Sequence, residues 1–163
     1  MIRHNVGSRL GVFCKLGVVL LLTLFVFTYP LRSHVSAFCF EEAGETYNIS
    51  PLLLWSIAAV ESAFNPNAIN RNANGSYDYG VMQINSSWYH TLGKERWSRL
   101  SDPCFNVHVG AWVLAQCIQR HGYTWEAVGC YNSSKPHNRR IYANKVGKVL
   151  EQVGSQQMTY GKN

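Results

Sequence analysis

Residues 52–60, Leu-Leu-Leu-Trp-Ser-Ile-Ala-Ala-Val, are apolar nearly all the way round a helical wheel. A segment of that kind is a buried central helix, not a surface one. Ser50-Pro51 offers it a cap and a first-turn proline, and it closes on the polar pair Glu61-Ser62. A short helix over 40–47 precedes it. Beyond Asn65-Pro66 the helical period is lost. Asn74-Gly75 is a hairpin signal, because both residues tolerate positive φ, so a small antiparallel hairpin interrupts the helices. Gly80-Val-Met-Gln-Ile-Asn85 then leads to a short helical turn near Trp88. Asp102 as cap, Pro103 at the first position and Gly122 at the end predict one helix over 103–121. Two more helices follow, over 125–131 and roughly 137–152, the last amphipathic. Residues 154–163 are polar and predict a flexible tail. The pattern is mostly α (an α+β chain), with one small β-hairpin and no internal repeat.

The first 37 residues stand apart. Arg3, His4, Arg9 and Lys15 make a positive leader, followed by an apolar run from Leu16 to Phe27 broken only by Gly17 and Thr23. Val35-Ser36-Ala37 places small residues where a signal peptidase cuts. The expectation is therefore a signal peptide over 1–37, export to the periplasm, and a domain over 38–153. The alternative is an uncleaved membrane anchor, against which the run is shorter than the ~20 residues that span a bilayer. Phe38 before Cys39 argues against lipidation.

Charge and cysteines change meaning once the leader is set aside. The whole chain has net charge +6, from 15 basic and 9 acidic residues. Arg3, Arg9, Lys15 and Arg32 belong to the leader, which leaves eleven basic against nine acidic, or +2. Such a domain is no nucleic-acid binder. Cys14 also leaves with the leader, and Cys39, Cys104, Cys117 and Cys130 remain. An even number in an exported chain predicts two disulfides. Cys104 and Cys117 would lie about 20 Å apart along the 103–121 helix, which excludes that pair. Cys117 and Cys130 flank the Gly122-Tyr123-Thr124 turn nearly symmetrically, so Cys117–Cys130 and Cys39–Cys104 are expected. No Cys-x-x-Cys or His spacing indicates a metal, and no cofactor is expected.

Glu61 is the chemical centre. Burial disfavours an ionised carboxyl, and so does the C-terminal end of a helix dipole. Both raise its pKa, as the proton-donating acid of a glycosidase requires. A surface glutamate on a fraying last turn is the plain alternative. Asp78, on the far strand of the hairpin, is a second carboxylate that could face Glu61. A separation of about 5–5.5 Å would suit retention and a wider one inversion. A turn aspartate bonded to its own backbone is the other reading.

The segment from Glu61-Ser-Ala-Phe-Asn-Pro to Tyr77-Asp-Tyr-Gly-Val-Met-Gln-Ile-Asn85-Ser86 resembles the active-site segment of c-type lysozymes. Through Glu-Ser, Asn-Pro and Gly80-Val-Met-Gln-Ile84 it is also similar to bacterial soluble lytic transglycosylases. Asp102-Pro-Cys-Phe-Asn106, Gly110-Ala111 and Trp125-Glu-Ala-Val-Gly-Cys-Tyr131-Asn132 resemble later motifs of the transglycosylases found with secretion and conjugation systems. The resemblance covers roughly 39–150. It implies a lysozyme-like fold, Glu61 as general acid, and Asp78 in the place of the lysozyme aspartate, which most lytic transglycosylases lack. It implies a sugar site walled by Met82, Gln83 and Asn85, saccharide contacts from Tyr131 and Asn132, and Tyr142 near the catalytic carboxyl. Asn70 stands where a serine is usual, and Ser133-Ser134 replaces the usual Ala-Gly, so both places bear on substrate contacts.

The resemblance further implies peptidoglycan glycan strands as substrate and a monomer that serves a type III or type IV secretion, pilus or conjugation apparatus. Two rival readings remain at this point: a muramidase that hydrolyses with Glu61 and Asp78, and a peptidoglycan-binding scaffold. Individual residues also have plainer roles open to them. Gln83 can tie loop backbone, Met82 can fill core, and Tyr131 and Tyr142 can pack between helices. Trp55 and Trp112 read as core, Trp88 as a sugar-stacking candidate, and Asn106 as structural. His90, His108, His121 and His137 form no triad or ligand set. Lys135, Arg139, Arg140, Lys145 and Lys148 read as the solvated face of the last helix.

Overall fold

The computed structural model describes residues 38–160. The expected signal peptide over 1–37 lies outside the described residues. Helix α1 spans Phe40–Tyr47 and α2 spans Pro51–Ser62. Three short strands follow: β1 Ile69–Arg71, β2 Tyr77–Tyr79 and β3 Ile84–Asn85. A 3-10 turn, Ser86–Trp88, leads into α3, Tyr89–Ser98, and a second, Arg99–Ser101, follows it. Helices α4 (Pro103–His121), α5 (Trp125–Asn132) and α6 (Pro136–Tyr160) complete the order.

Helix α2 is the spine expected from its composition. It packs against α1, α4 and α6 and buries Leu53, Leu54, Ser56, Ile57 and Ala58. Pro51 starts it as predicted, but the Ser50 hydroxyl makes no cap bond. The Ser50 carbonyl instead accepts from Leu53 and Leu54, and the Ser50 N–H donates to the Tyr123 hydroxyl. The predicted Asp102 cap is present, and Thr124, expected only as part of a turn, also caps a helix. Asp102 accepts from the Phe105 N–H at 2.7 Å, and Thr124 accepts from the Ala127 N–H.

The sheet is antiparallel in the order β1-β2-β3, with Asn70 opposite Asp78 and Asp78 opposite Asn85. The hairpin is where it was expected, but its turn is longer than two residues. Asn72 N–H donates to the Ser76 carbonyl, and Gly75, at φ 84°, closes a tighter turn on Asn72. The third strand is an addition; two residues are too few to show a strand period. Helix α3 is also longer than the predicted turn. It buries no side chain and kinks at Gly93, so it carries no apolar stripe to read. At the end of the chain, α6 runs past 152 to Tyr160. Gly154 sits inside it; a single glycine costs about 1 kcal/mol relative to alanine and does not end a helix by itself.

The two disulfides join Cys39 to Cys104 and Cys117 to Cys130, with Cα separations of 5.1 and 5.8 Å. The first ties the start of α1 to the first turn of α4. The second closes the α4–α5 corner. Among the described residues no helix is long and apolar enough to cross a membrane.

Candidate active site

The segment 80–83 links β2 to β3, and three side chains from elsewhere pin it in place. Asn106, fully buried on α4, accepts from the Met82 N–H at 2.8 Å and donates to the carbonyls of Tyr79 and Leu100. This residue is thus structural, as its position suggested. A side chain on Gly80 would collide with it, which explains a glycine there at φ 80°. Ser62, at the end of α2, donates to the Val81 carbonyl, and Tyr131 on α5 donates to the Met82 carbonyl. Helices α2, α4 and α5 therefore converge on one loop.

Glu61 lies in the last turn of α2. The chain leaves that helix through two consecutive left-handed residues, Ala63 and Phe64, at φ 50° and 64°. Gln83 is left-handed as well, at φ 48°. Such non-glycine residues cost on the order of 1–3 kcal/mol each and concentrate at working sites. The Glu61 carboxyl accepts a 2.5 Å hydrogen bond from the Tyr142 hydroxyl of α6. Burial raises its pKa from 4.5 to about 7; the Tyr142 bond opposes this, the Asp78 charge adds to it, and Lys145 opposes it. A glutamate that keeps its proton up to neutral pH can protonate a leaving oxygen. Burial, with the Glu61 charge nearby, also pushes the Tyr131 and Tyr142 hydroxyls well above the ordinary tyrosine range, so both remain donors. Their rings stack 6.4 Å apart.

Asp78 faces the same groove, held by a cage of amides. Asn85 donates to one oxygen at 2.6 Å, and Asn72 and Asn70 donate to the other at 3.0 and 3.3 Å. The turn-aspartate reading does not describe this arrangement: these partners lie on two separate segments, 70–72 and β3, and all are side chains. The groove holds about 1000 Å³ and is lined by Glu61, Asn70, Asn72, Ser76, Asp78, Gln83, Asn85, Trp88, Tyr131, Asn132 and Lys135, among others.

Most of the residues expected at the site meet there, with two exceptions. Met82 does not line the groove. Its side chain is fully buried against Gly110, and only its main chain serves the loop. Its N–H is held by Asn106 and its carbonyl by Tyr131, and these main-chain anchors set the side chain inward. Tyr142 is buried beneath Glu61 and is not on the groove wall. Gln83 does tie backbone, donating to the carbonyls of Ala68 and Gly80, and it lines the groove as well. Asn85 uses its oxygen to cap the 3-10 turn. Trp88 stands in the groove wall edge-on to Trp112, while Trp55 packs on Phe64.

Sequence reasoning missed Asn72 and Asn138. Asn72 was hidden among the five asparagines of 65–74. Asn138 lies one helical turn before Tyr142, a spacing that signals the same face. Arg139 is not simply solvated. It pairs with Glu126 at 2.7 Å and donates to the Ser133 carbonyl, fixing the α5–α6 connection beside the groove. His108 approaches Glu42 and His121 approaches Arg139, both away from the groove. Among the described residues, one trio comes close enough to share an ion: Cys39, Glu42 and Cys104. Its two sulfurs are bonded to each other.

The Transglycosylase SLT domain family matches residues 38–150, nearly the whole described domain. The chain belongs to the transglycosylase SLT family. Protein IpgF of Shigella flexneri is 43% identical over 115 residues, covering 66% of this chain and 76% of that protein. Invasion protein IagB of Salmonella typhimurium strain SL1344 is 43% identical over 115 residues, covering 66% and 72%. An Escherichia coli protein named X polypeptide is 37% identical over 126 residues, covering 72% and 75%. As an SLT domain the protein is a lytic transglycosylase acting on peptidoglycan, outside the cytoplasm. The helical build with a small antiparallel sheet agrees with the lysozyme-like fold of that family.

For this SLT domain, removing the Tyr142 hydroxyl has a defined sign. That hydrogen bond favours the ionised form of Glu61, so Tyr142→Phe raises the Glu61 pKa further. The alkaline limb of kcat/KM should move up by on the order of one pH unit. A pH–rate profile on peptidoglycan checks this, and a limb that stays in place or moves down contradicts it.

Proposed function

We propose that the enzyme cleaves the β-1,4 bond between N-acetylmuramic acid and N-acetylglucosamine and closes a 1,6-anhydro ring on the muramic residue. The neutral Glu61 carboxyl protonates the glycosidic oxygen as the bond from C1 breaks. The substrate's own 2-acetamido oxygen supports C1. Glu61, now ionised, takes the proton of the sugar's C6 hydroxyl, and O6 bonds to C1. Glu61 ends protonated, as it began, so no second acid is consumed. Gln83, Asn85, Tyr131 and Asn132 bind the strand in the groove, and Trp88 offers a ring face to a sugar. The observation that carries this reading is the partly buried Glu61 carboxyl, hydrogen-bonded by Tyr142 and poised at a pKa of about 7.

A second reading has one specific observation behind it, the amide cage around Asp78. A carboxylate held so firmly beside the acid could serve hydrolysis, as nucleophile or charge stabiliser. Asp78→Asn separates the two. Under transglycosylation through the substrate's own groups, kcat/KM should fall less than about tenfold. Removing the Asp78 charge should also move the alkaline limb to lower pH, because that charge raises the Glu61 pKa. A loss of more than about a hundredfold, the scale of a lost catalytic group, would favour hydrolysis.

The biological setting we infer is periplasmic. The leader over 1–37 would direct export and be removed, and the enzyme would open the wall locally for a secretion, pilus or conjugation apparatus. The name "invasion protein" carried by the Salmonella relative supports such a role.

A further inference from the structure

Glu61 is reached from two sides. Besides the large groove, a second cavity of about 260 Å³ adjoins it, and the two share Glu61, Asn132 and Asn138. The far wall of this second cavity is built from α6, where Asn138, Ile141, Tyr142 and Lys145 recur at helical spacing and point to one face. Val60, the residue before Glu61, closes it from α2. Its chemistry differs from that of the groove. The groove offers amides, hydroxyls and the Asp78 carboxylate. The second cavity joins a lysine ammonium to two aliphatic side chains, Val60 and Ile141, and the latter is 46% exposed.

Apart from the lactyl group of the muramic residue, the glycan backbone has no use for that combination, since it carries only hydroxyls and neutral acetamido groups. The muramic residue differs from its neighbour by a lactyl ether on C3, which bears the peptide stem. That stem leaves the strand sideways, carries methyl groups close to the sugar, and then bears carboxylates. Muramic acid alternates with glucosamine, so one muramic residue always adjoins the cleaved bond. A hollow beside the acid that follows α6 from Asn138, shared with the groove, past Ile141 to Lys145 fits that substituent. Lys145 forms none of the salt bridges found among the described residues, while Arg139 on the same helix is already paired with Glu126.

We propose that the second cavity binds the acidic peptide stem of muramic acid, with Val60 and Ile141 against its methyl groups and Lys145 pairing a stem carboxylate. The inference rests on the peptidoglycan-cleaving reading of Glu61 and names the part of the substrate that this site selects. Recognition of this kind makes the enzyme prefer wall with acidic stems over wall whose stem carboxylates have been neutralised.

The test uses the oxidised protein and two forms of one substrate: soluble peptide-bearing glycan strands, and the same strands with stem carboxylates converted to amides by carbodiimide and ammonia. The wild-type kcat/KM should drop about fivefold on the amidated strands, the scale of one solvent-accessible ion pair. Lys145→Met should be slower on native strands and should lose the discrimination. Lys148→Met, which alters a lysine outside the cavity, should keep it. Lys145 also acts on the Glu61 proton, so the ratio of the two substrates is taken at each pH. The acid is in the same state for both, and that effect cancels. Equal wild-type rates on both substrates, or full discrimination retained by Lys145→Met, would overturn the proposal. The ratio can be read from total bond cleavage, whichever product forms. Loss of all cleavage by wild type would instead strike the reading of Glu61.

Discussion

Glu61→Gln is expected to lower kcat/KM on peptidoglycan by about a thousandfold to ten-thousandfold, because one side chain supplies the proton for both halves of the reaction. The substitution keeps shape and keeps an oxygen to accept from Tyr142, so the fold should survive. The same change should stabilise the protein in alkali. In the wild type the folded pKa of about 7 lies above the ordinary 4.5. The folded state therefore holds the Glu61 proton more tightly than the unfolded state does between those values. Stability from this group is fully present below about pH 4.5 and is lost as pH rises through about 7. Glutamine cannot ionise, so Glu61→Gln should melt at a higher temperature than wild type at pH 8 and gain little at pH 4.5. A Tm difference independent of pH would mean that the carboxyl is not buried as described. A variant that still solubilises wall at near wild-type rate would remove Glu61 from the mechanism.

The second large effect concerns the Cys39–Cys104 disulfide. It joins residues 65 apart in sequence, whereas Cys117–Cys130 joins residues 13 apart. Closing the longer loop removes more entropy from the unfolded chain, about 4 kcal/mol against about 3 kcal/mol on the chain-entropy account. Replacing both Cys39 and Cys104 by serine should therefore lower the unfolding free energy by about 4 kcal/mol, measured from urea unfolding midpoints. That is a large part of the 5–15 kcal/mol typical of a domain. A loss below about 1 kcal/mol would show that α1 holds its place through packing alone. The dependence also links the fold to an oxidising compartment.

Much of this was legible because local chemistry and global fold agree. Asp102, Pro103 and Gly122 mark both ends of α4 by rules that act within one turn, and that helix in turn excluded one cysteine pairing. Glu61 stood out because a carboxyl that closes an apolar helix is electrostatically disfavoured and calls for a reason. What stayed hidden depends on distance along the chain. Tyr142 meets Glu61 across 81 residues; the family resemblance placed it near the carboxyl, but no pattern local to either residue reports that contact. Asp78 was open to two readings, a second carboxylate facing Glu61 or a turn residue, because its partners Asn70, Asn72 and Asn85 meet only when the sheet forms. Met82 looked like part of a sugar wall because its neighbours Gln83 and Asn85 are; Asn106 and Gly110 decide that it faces inward. Helix α3 left little trace in the pattern because none of its residues is fully buried and only Leu92 and Trp97 pack partway against the core.

The most direct test of the central claim is to digest peptidoglycan with the purified, oxidised protein and weigh the soluble fragments by mass spectrometry. Fragments ending in 1,6-anhydro-muramic acid are the predicted result, with Asp78 in a supporting place beside Glu61. Fragments with reducing ends, each heavier by one water, would contradict it and make Asp78 the partner of Glu61 in hydrolysis.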